Sequence, residues 1–270
     1  MCRLYGFRAT EPTKVECTLV HAQNALMVQS QRDDHSHGWG IATYDGHRPR
    51  IERQAWAAYH GEHFKRAAAR VHSRTVLAHV RDATVGLPSI ENTHPFTDGT
   101  WTFAHNGTIP RFSELRERLL EAIAPEHRLA IAGSTDSEHV FRLLLTLRDR
   151  EPALPPMEIV RRGIHRIAAW CRNMNTLESL GLNLLLTDGE AMVGSRWGRT
   201  LYWVERDAVR DCEICGFPHI HHTAGHDYRA VVVASEPISH EDWREVPEQS
   251  VYRITPDMRL HSEPALSIPA

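Results

Sequence analysis

Short segments rich in hydrophobic, aromatic and β-branched residues dominate the first hundred positions, and polar or glycine-containing turns separate them. This pattern is typical of strands in a layered sheet. Asp45-Gly46 is a hairpin signal between two of these segments. One helix is predicted over 62–71. Strands are predicted over 2–7, 38–44, 48–56, 74–83 and 100–109.

The middle of the chain changes to a helical period. In segment 113–124, leucine and isoleucine recur at intervals of three and four residues, which places them on one helix face. Thr135 and Glu138 have the spacing of a capping box and predict a helix that begins near Asp136. Several prolines then end this helix. The next predicted helix extends over 157–174.

The last third of the chain returns to strands. Segment 182–197 predicts a hairpin around Asp188-Gly189, and further strands are predicted over 200–206, 228–236 and 250–260. The order of strands, helices and strands, joined by hairpin turns rather than βαβ crossovers, favours an α+β fold of antiparallel sheets. Since neither a repeat nor a low-complexity linker interrupts the pattern, one domain over 1–270 is predicted.

The composition is that of an ordinary globular protein, with 41% hydrophobic and 24% charged residues. A net charge of −3 without a long basic run argues against nucleic acid and acidic membranes as partners. No apolar stretch approaches the roughly 18 residues of a bilayer span, and the first residues lack a signal-peptide pattern. Five scattered cysteines, an odd number, favour a reducing cytoplasm over a disulfide scaffold.

The chain begins with Met-Cys, so removal of Met1 would make Cys2 the first residue. It would then carry a thiol, of pKa about 8.5, and a free α-amino group, of pKa about 7.7–8.0, on one carbon. A neutral amine accepts the thiol proton directly or through one water, so no histidine is needed as a base. The alternative is that Cys2 is only a small hydrophobic residue at the start of a strand.

Four other residues suit an amino-acid substrate. Arg81 follows a predicted strand and is either a carboxylate ligand or a structural salt-bridge residue. Asn106 and Gly107 offer two N–H donors for an oxyanion hole, or form only a turn. Asp136 either complements a helix dipole or receives a ligand ammonium. Together with Cys2 these groups fit an α-amino acid that is attacked farther along its side chain, as in glutamine or a γ-glutamyl amide.

The Met-Cys start and six later segments, in this order, resemble the class II glutamine amidotransferases of the N-terminal-nucleophile hydrolase superfamily. The segments are DDHSHGWGIATY, AHVRDAT, NTHPF, FAHNGTI, STDSE and LNLLLTDGEAMV, and the resemblance extends over nearly the whole chain. It implies a four-layer αββα sandwich. The site residues that it implies are Cys2 as nucleophile, Arg81 as ligand of the α-carboxylate, Asn106 and Gly107 as oxyanion hole, and Asp136 as ligand of the α-amino group.

The resemblance is to the stand-alone glutaminase-domain type. Asp82 follows Arg81 where the best-known members have an aromatic residue, and those members continue into a synthase or transferase domain that this chain is not expected to contain. The stand-alone type includes the amidohydrolase of ergothioneine biosynthesis, which removes a γ-glutamyl group. Specificity for the leaving amine is expected to depend on loops such as 24–37.

The expected reaction is therefore hydrolysis of the side-chain amide of glutamine or a γ-glutamyl amide, through a γ-glutamyl thioester on Cys2. No cofactor is required for it. Two alternatives stay open. One is a glutaminase subunit that delivers ammonia to a separate synthase partner, and the other is a non-catalytic scaffold that binds a metal or a partner.

Segment 212–222, CEICGFPHIHH, is a second candidate site. Cys212 and Cys215 have zinc-knuckle spacing, and His219 and His221 follow closely. A structural zinc would fasten a Cys/His-rich loop at about 210–226. Against this, a complete structural site normally takes further ligands from a more distant part of the chain. The alternative is a surface loop with reduced thiols.

Overall fold

Two antiparallel sheets form the centre of the computed structural model, which describes residues 2–220 and 227–266. Across the first sheet the strands are β11 (Arg244–Glu245), β9 (Tyr202–Arg206), β10 (Ala230–Ala234), β1 (Arg3–Lys14), β4 (His72–Val80), β2 (Trp39–Asp45) and β3 (Arg48–Gln54). Across the second they are β13 (Leu260–Pro264), β12 (Ser250–Ile254), β8 (Met192–Arg196), β7 (Gly181–Thr187), β6 (Trp101–Thr108) and β5 (Phe96–Asp98). The predicted α+β fold with antiparallel pairing is confirmed.

Six α-helices accompany these strands in the described ranges. They are α1 (Leu26–Arg32), α2 (His63–Ala69), α3 (Phe112–Ala122), α4 (Pro125–Leu129), α5 (Asp136–Arg150) and α6 (Pro156–Asn173), with a π-helical turn at Cys17–His21 and a 3₁₀ turn at Leu177–Ser179. None of the helices in 2–220 or 227–266 is both long and apolar enough to cross a membrane.

Three apolar clusters separate four layers. One cluster lies between the two sheets and includes Leu4, Leu77 and Leu185. A second packs α1 and α2 on the outer face of the first sheet, and a third packs α3, α5 and α6 on the outer face of the second. Along β1, Leu4 joins the inner cluster while its neighbour Tyr5 joins an outer one, because successive strand residues face opposite sides. The αββα sandwich is therefore present.

The start of α5 follows the sequence prediction in one half of the capping box only. The Thr135 hydroxyl accepts from the Glu138 N–H at 3.2 Å, and the helix begins at Asp136. The Glu138 carboxylate, however, accepts from the N–H groups of Ala132 and Gly133 at 3.0 and 2.7 Å. The acidic side chain thus fastens the preceding loop to the helix instead of closing on Thr135.

The segment 24–37 is not the loop that the sequence suggested. It contains α1, whose Leu26 is buried against the first sheet. The helix is short, and polar residues follow it, so its apolar face gives no clear helical period in the sequence. Burial against the sheet is what stabilises it.

Candidate active site

Cys2 lies at the start of β1, the central strand of the first sheet. Because Arg3 pairs with Val80, Cys2 is placed beside the residues that follow β4. Its Sγ is 3.2 Å from the Asp82 carbonyl oxygen, to which a thiol donates, and 3.3 Å from the Asp82 N–H, which a thiolate accepts. The main chain at Asp82 can therefore hold this sulfur in both protonation states.

The half-buried position of Cys2 keeps its thiol protonated near neutral pH. Burial raises the pKa of this thiol, while the Asp82 backbone contact and the Arg81 charge act in the opposite direction. A nucleophile with a raised pKa needs a base to remove its proton.

The side chain of Arg3 fixes this end of the chain. Its Nη1 donates to the Cys2 carbonyl at 3.2 Å, and its Nη2 lies 2.5 Å from the Asp33 carboxylate and 2.6 Å from that of Glu236. Only 11% of the Arg3 side chain is exposed. Such a charge-paired clamp orders a position that is usually frayed.

Arg81 follows β4 directly and is almost fully buried. Its guanidinium donates to four main-chain carbonyls: Nη2 to Val85 at 2.8 Å and Gly86 at 3.0 Å, and Nη1 to Leu87 at 3.3 Å and His37 at 3.4 Å. The two Nη1 contacts are long for hydrogen bonds to an arginine nitrogen and are correspondingly weak.

The buried carboxylate of Asp136 stands at the first position of α5. Its Oδ2 accepts from the Ile109 N–H at 2.8 Å, and its Oδ1 accepts from the Ser137 N–H at 2.9 Å. The Ser137 hydroxyl also donates to Oδ1 at 3.4 Å, so Oδ2 is the oxygen that keeps a lone pair for a further donor. Burial lowers the pKa of Arg81, and the charges of Cys2 and Asp136 act in the opposite direction.

Asn106 and Gly107 lie near the end of β6, beside β7. The Asn106 Nδ2 donates to the Ser235 hydroxyl at 3.1 Å, and the same hydroxyl accepts from the Leu4 N–H at 2.9 Å. Ser235 thus links the second sheet to β1 two residues after Cys2. A Cβ at Gly107 would stand 2.2 Å from the Gly181 carbonyl oxygen. Packing against β7 is therefore by itself a sufficient reason for a glycine at this position.

Asp82 occupies the position where the resemblance implied an aromatic residue. Its Oδ1 approaches His37 Nδ1 at 3.4 Å, but Nδ1 also accepts the Ala83 N–H at 3.0 Å. A ring nitrogen that accepts a main-chain N–H carries no proton of its own, so this approach is not an ion pair in that tautomer.

Part of the large complement of 19 histidines is buried close to the site. Burial lowers the pKa of His35 to about 4 and that of His79 to about 3. The ring nitrogens of His35 lack a hydrogen-bond partner in the described part of the chain. Rings with such pKa values are neutral near pH 7 and are poor bases.

The structure brings together residues that the sequence could only name separately. The pairing of Arg3 with Val80 places Cys2 opposite Arg81, and Asn106 is joined to β1 through Ser235. Sequence reasoning missed Ser235 and the Arg3 clamp. No local motif marks either residue, since each acts through partners on distant strands.

The second candidate site is also partly described. Cys212, Cys215 and His219 lie close together, and the sequence reasoning had not assigned their fourth neighbour, Cys17. His221, which the sequence suggested as a ligand, lies outside the described residues.

Comparison with known proteins relates the chain to one family. Residues 1–256 match the family model described as glutamine amidotransferases class-II. The chain is 29% identical to the probable glutamine amidotransferase DUG3 of Saccharomyces cerevisiae, over 94% of this chain and 82% of that protein. It is 27% identical to the gamma-glutamyl-hercynylcysteine sulfoxide hydrolase of Mycobacterium tuberculosis, over 94% of this chain and 93% of that protein.

Two solved structures share the fold. A glutamine aminotransferase class-II domain protein from Silicibacter pomeroyi aligns with a TM-score of 0.66 at 22% identity, over 97% of this chain and 98% of the other. The glutamine phosphoribosylpyrophosphate amidotransferase of Bacillus subtilis aligns with a TM-score of 0.63 at 18% identity, over 99% of this chain and 50% of that longer one.

Proposed function

We infer, since this chain belongs to the class II glutamine amidotransferases, that Cys2 is the nucleophile of an amidohydrolase that cleaves γ-glutamyl amides, glutamine included. The observation that carries this proposal is the placement of Cys2. Its sulfur lies at the start of a central strand, against the Asp82 main chain and next to the buried Arg81, with which Cys2 is in register.

The reaction needs only groups of this chain and water. With Met1 removed, the α-amino group of Cys2 takes the thiol proton, and the sulfur attacks the side-chain carbonyl carbon of the substrate. The C–N bond breaks, the amine returns the proton to the leaving nitrogen, and a γ-glutamyl thioester remains. Water attacks this thioester with the same amine as base, which releases glutamate and restores the thiol.

The developing oxyanion requires donors that are already oriented. Asn106 Nδ2 carries two hydrogens, and since Ser235 receives one of them, the second is directed elsewhere. We assign this second hydrogen and the Gly107 N–H to the oxyanion. The Ser235 hydroxyl accepts from both the Asn106 side chain and the Leu4 N–H, and this supports the assignment. The shared hydroxyl fixes the Asn106 amide relative to β1, at whose start Cys2 lies.

The amino-acid end of the substrate is assigned to the two buried charges. A carboxylate that takes Arg81 Nη1 replaces the weak contacts at 3.3 and 3.4 Å with a charge-assisted hydrogen bond. Asp136 Oδ2 supplies its remaining lone pair to the ammonium group.

We expect Arg81→Lys and Asp136→Asn each to raise KM by roughly 30–150-fold, which corresponds to about 2–3 kcal/mol for a hydrogen bond to a charged group. Lysine keeps the charge at 81, but its single ammonium cannot donate to the Val85 and Gly86 carbonyls and to the substrate carboxylate in the planar geometry of a guanidinium. Steady-state kinetics of glutamate release measure the effect. Arg161→Lys is the matched control, since Arg161 is a buried, ion-paired arginine of α6. A KM unchanged in both test variants contradicts the assigned roles.

Ser235 is proposed as a positioning residue for Asn106. We expect Ser235→Ala to lower kcat by about tenfold with little change in KM, because about 1.4 kcal/mol of orientation is lost at the oxyanion. In the Asn106→Ala background the same change should cost nothing further, since its partner is gone. Ser250→Ala, which removes another buried serine hydroxyl, serves as the control and should leave kcat intact. Additive losses in the double variant contradict the positioning role.

The experiment that tests the proposed activity is a substrate screen. The purified protein is incubated with glutamine and a panel of γ-glutamyl amides, and free glutamate is measured. We expect glutamate release from at least one of these compounds. We expect none from isoglutamine, in which the amide is on the α-carboxyl group and not on the side chain. Absence of glutamate from the whole panel, or equal release by Cys2→Ala, rejects the proposal.

A further inference from the structure

Four potential metal ligands from two distant parts of the chain converge at one point. The sulfurs of Cys17, Cys212 and Cys215 and a ring nitrogen of His219 all lie within 4.8 Å of one another. Three of these residues belong to the segment between β9 and β10, whereas Cys17 begins the π-helical turn that follows β1. Cys17 is therefore the remote ligand that the local Cys/His segment lacked.

The local geometry is that of a metal-binding turn. The Gly216 N–H donates to the Cys212 carbonyl at 2.8 Å, and the Cys212 N–H donates to the Phe217 carbonyl at 3.1 Å. The Ile214 N–H points at the Cys212 sulfur at 3.4 Å, which orients and stabilises a thiolate ligand. Gly216 has a φ of +73°, a conformation that glycine adopts without strain and that closes the turn after the second cysteine.

The spacing of the donor atoms fits a tetrahedral ion. Ligands at 2.0–2.3 Å from a common zinc stand about 3.5–3.8 Å apart. The Cys215 sulfur is 3.3 Å from His219 Nε2, and the other pairs lie within 4.8 Å. The observed separations are thus within about 1 Å of those that four ligands of one zinc ion would have.

The main chain already holds the two parts of the cluster together. The Lys14 N–H, at the end of β1, donates to the His219 carbonyl at 2.9 Å. Cys17, three residues later, is 7% exposed, so its sulfur faces the cluster from the protein side while Cys215 closes it from the solvent side. The arrangement does not depend on surface groups alone.

We propose that Cys17, Cys212, Cys215 and His219 bind one structural zinc ion. Three thiolates and one imidazole complete a tetrahedral Cys₃His site with no open position for water or substrate. The ion would fasten the segment that connects β9 and β10 to the end of β1.

Its distance from the candidate active site gives the zinc no part in the reaction. Strand β1 separates Cys2 from this cluster, and its two ends pair with Val80 and His72 of β4. Eight residues at the rise of a strand span roughly 26 Å. The proposed site therefore stabilises the far end of the strand whose start carries Cys2.

The test is metal analysis of untagged protein that is purified without chelators. We expect about one zinc per chain, and a loss of most of it in both Cys17→Ser and Cys212→Ser. Cys171→Ser is the matched control, because Cys171 is a buried cysteine of α6 outside the cluster, and it should keep its zinc. Loss of metal from Cys17→Ser distinguishes the proposed set from any site built within the segment 212–222.

A second measurement guards against variants that fail to fold. In the wild-type chain, exchange of zinc for Co²⁺ should produce the sulfur-to-cobalt charge-transfer bands and tetrahedral ligand-field bands of a Cys₃His site. Removal of the metal with a chelator should lower Tm by roughly 5 °C and leave glutamate release at lower temperature unchanged. Metal-free protein, iron in place of zinc, or a disulfide that consumes two of these three thiols overturns the proposal.

Discussion

Cys2→Ala is expected to abolish glutamate release while the protein stays folded. Loss of the attacking atom should lower kcat by at least about 10⁴-fold, since the remaining donors cannot replace a nucleophile. The free energy of unfolding should change by no more than about 1 kcal/mol, because within residues 2–220 and 227–266 the Cys2 Sγ makes hydrogen bonds only to the Asp82 main chain. Kinetics together with thermal unfolding of the same preparation measure both effects.

Two companion experiments separate the nucleophile from a structural role. Cys2→Ser keeps the shape of the side chain but replaces a partly ionisable thiol with an alcohol, so turnover should remain close to that of the alanine variant. A glutamine analogue with an electrophile at the side-chain carbonyl should label Cys2 and leave Cys17, Cys171, Cys212 and Cys215 unmodified.

The mass of the intact protein completes this prediction. Active enzyme should lack Met1, since only a free α-amino group on Cys2 can act as the base. Label on one of the other cysteines, turnover by Cys2→Ala, or an active form that retains Met1 would each refute the proposed mechanism.

Asn106→Ala is expected to lower kcat by about 10²–10³-fold with almost unchanged KM, as for the loss of one oxyanion donor. The amide acts on a charge that exists only in the transition state, so substrate binding does not depend on it. The fold should tolerate the change, because Ser235 keeps its bond to the Leu4 N–H.

Asn183 offers a contrast to this variant, because it faces Asn106 across β6 and β7. It donates to the carbonyls of Arg199 and Thr200 and accepts from the Trp197 N–H. Asn183→Ala should therefore lower Tm more than Asn106→Ala does, through loss of buried hydrogen bonds. If Asn106→Ala instead raises KM and leaves kcat intact, Asn106 holds the substrate and is not an oxyanion donor.

The sequence alone predicted most of the helices and strands and named the residues of the candidate site, whose roles stay predictions. Hydrophobic period, hairpin dipeptides and the Thr135 cap depend on neighbours in the chain, so local pattern sufficed for the helices over 62–71 and 157–174. The chemistry of Cys2 could be read in the same way, since its thiol and its prospective base belong to one residue. Helix α1 was missed because packing on the first sheet, and not local pattern, stabilises it.

Only the tertiary structure decided which residues meet. Ser235 reaches Asn106 across 129 positions and the Leu4 N–H across 231, so neither contact leaves a periodic trace in the sequence. Cys17 joins Cys212 for the same reason: β1 ends beside the segment that follows β9. Strand order and register set these distances, and both depend on how whole sheets pack. A sequence motif reflects only interactions between residues a few positions apart.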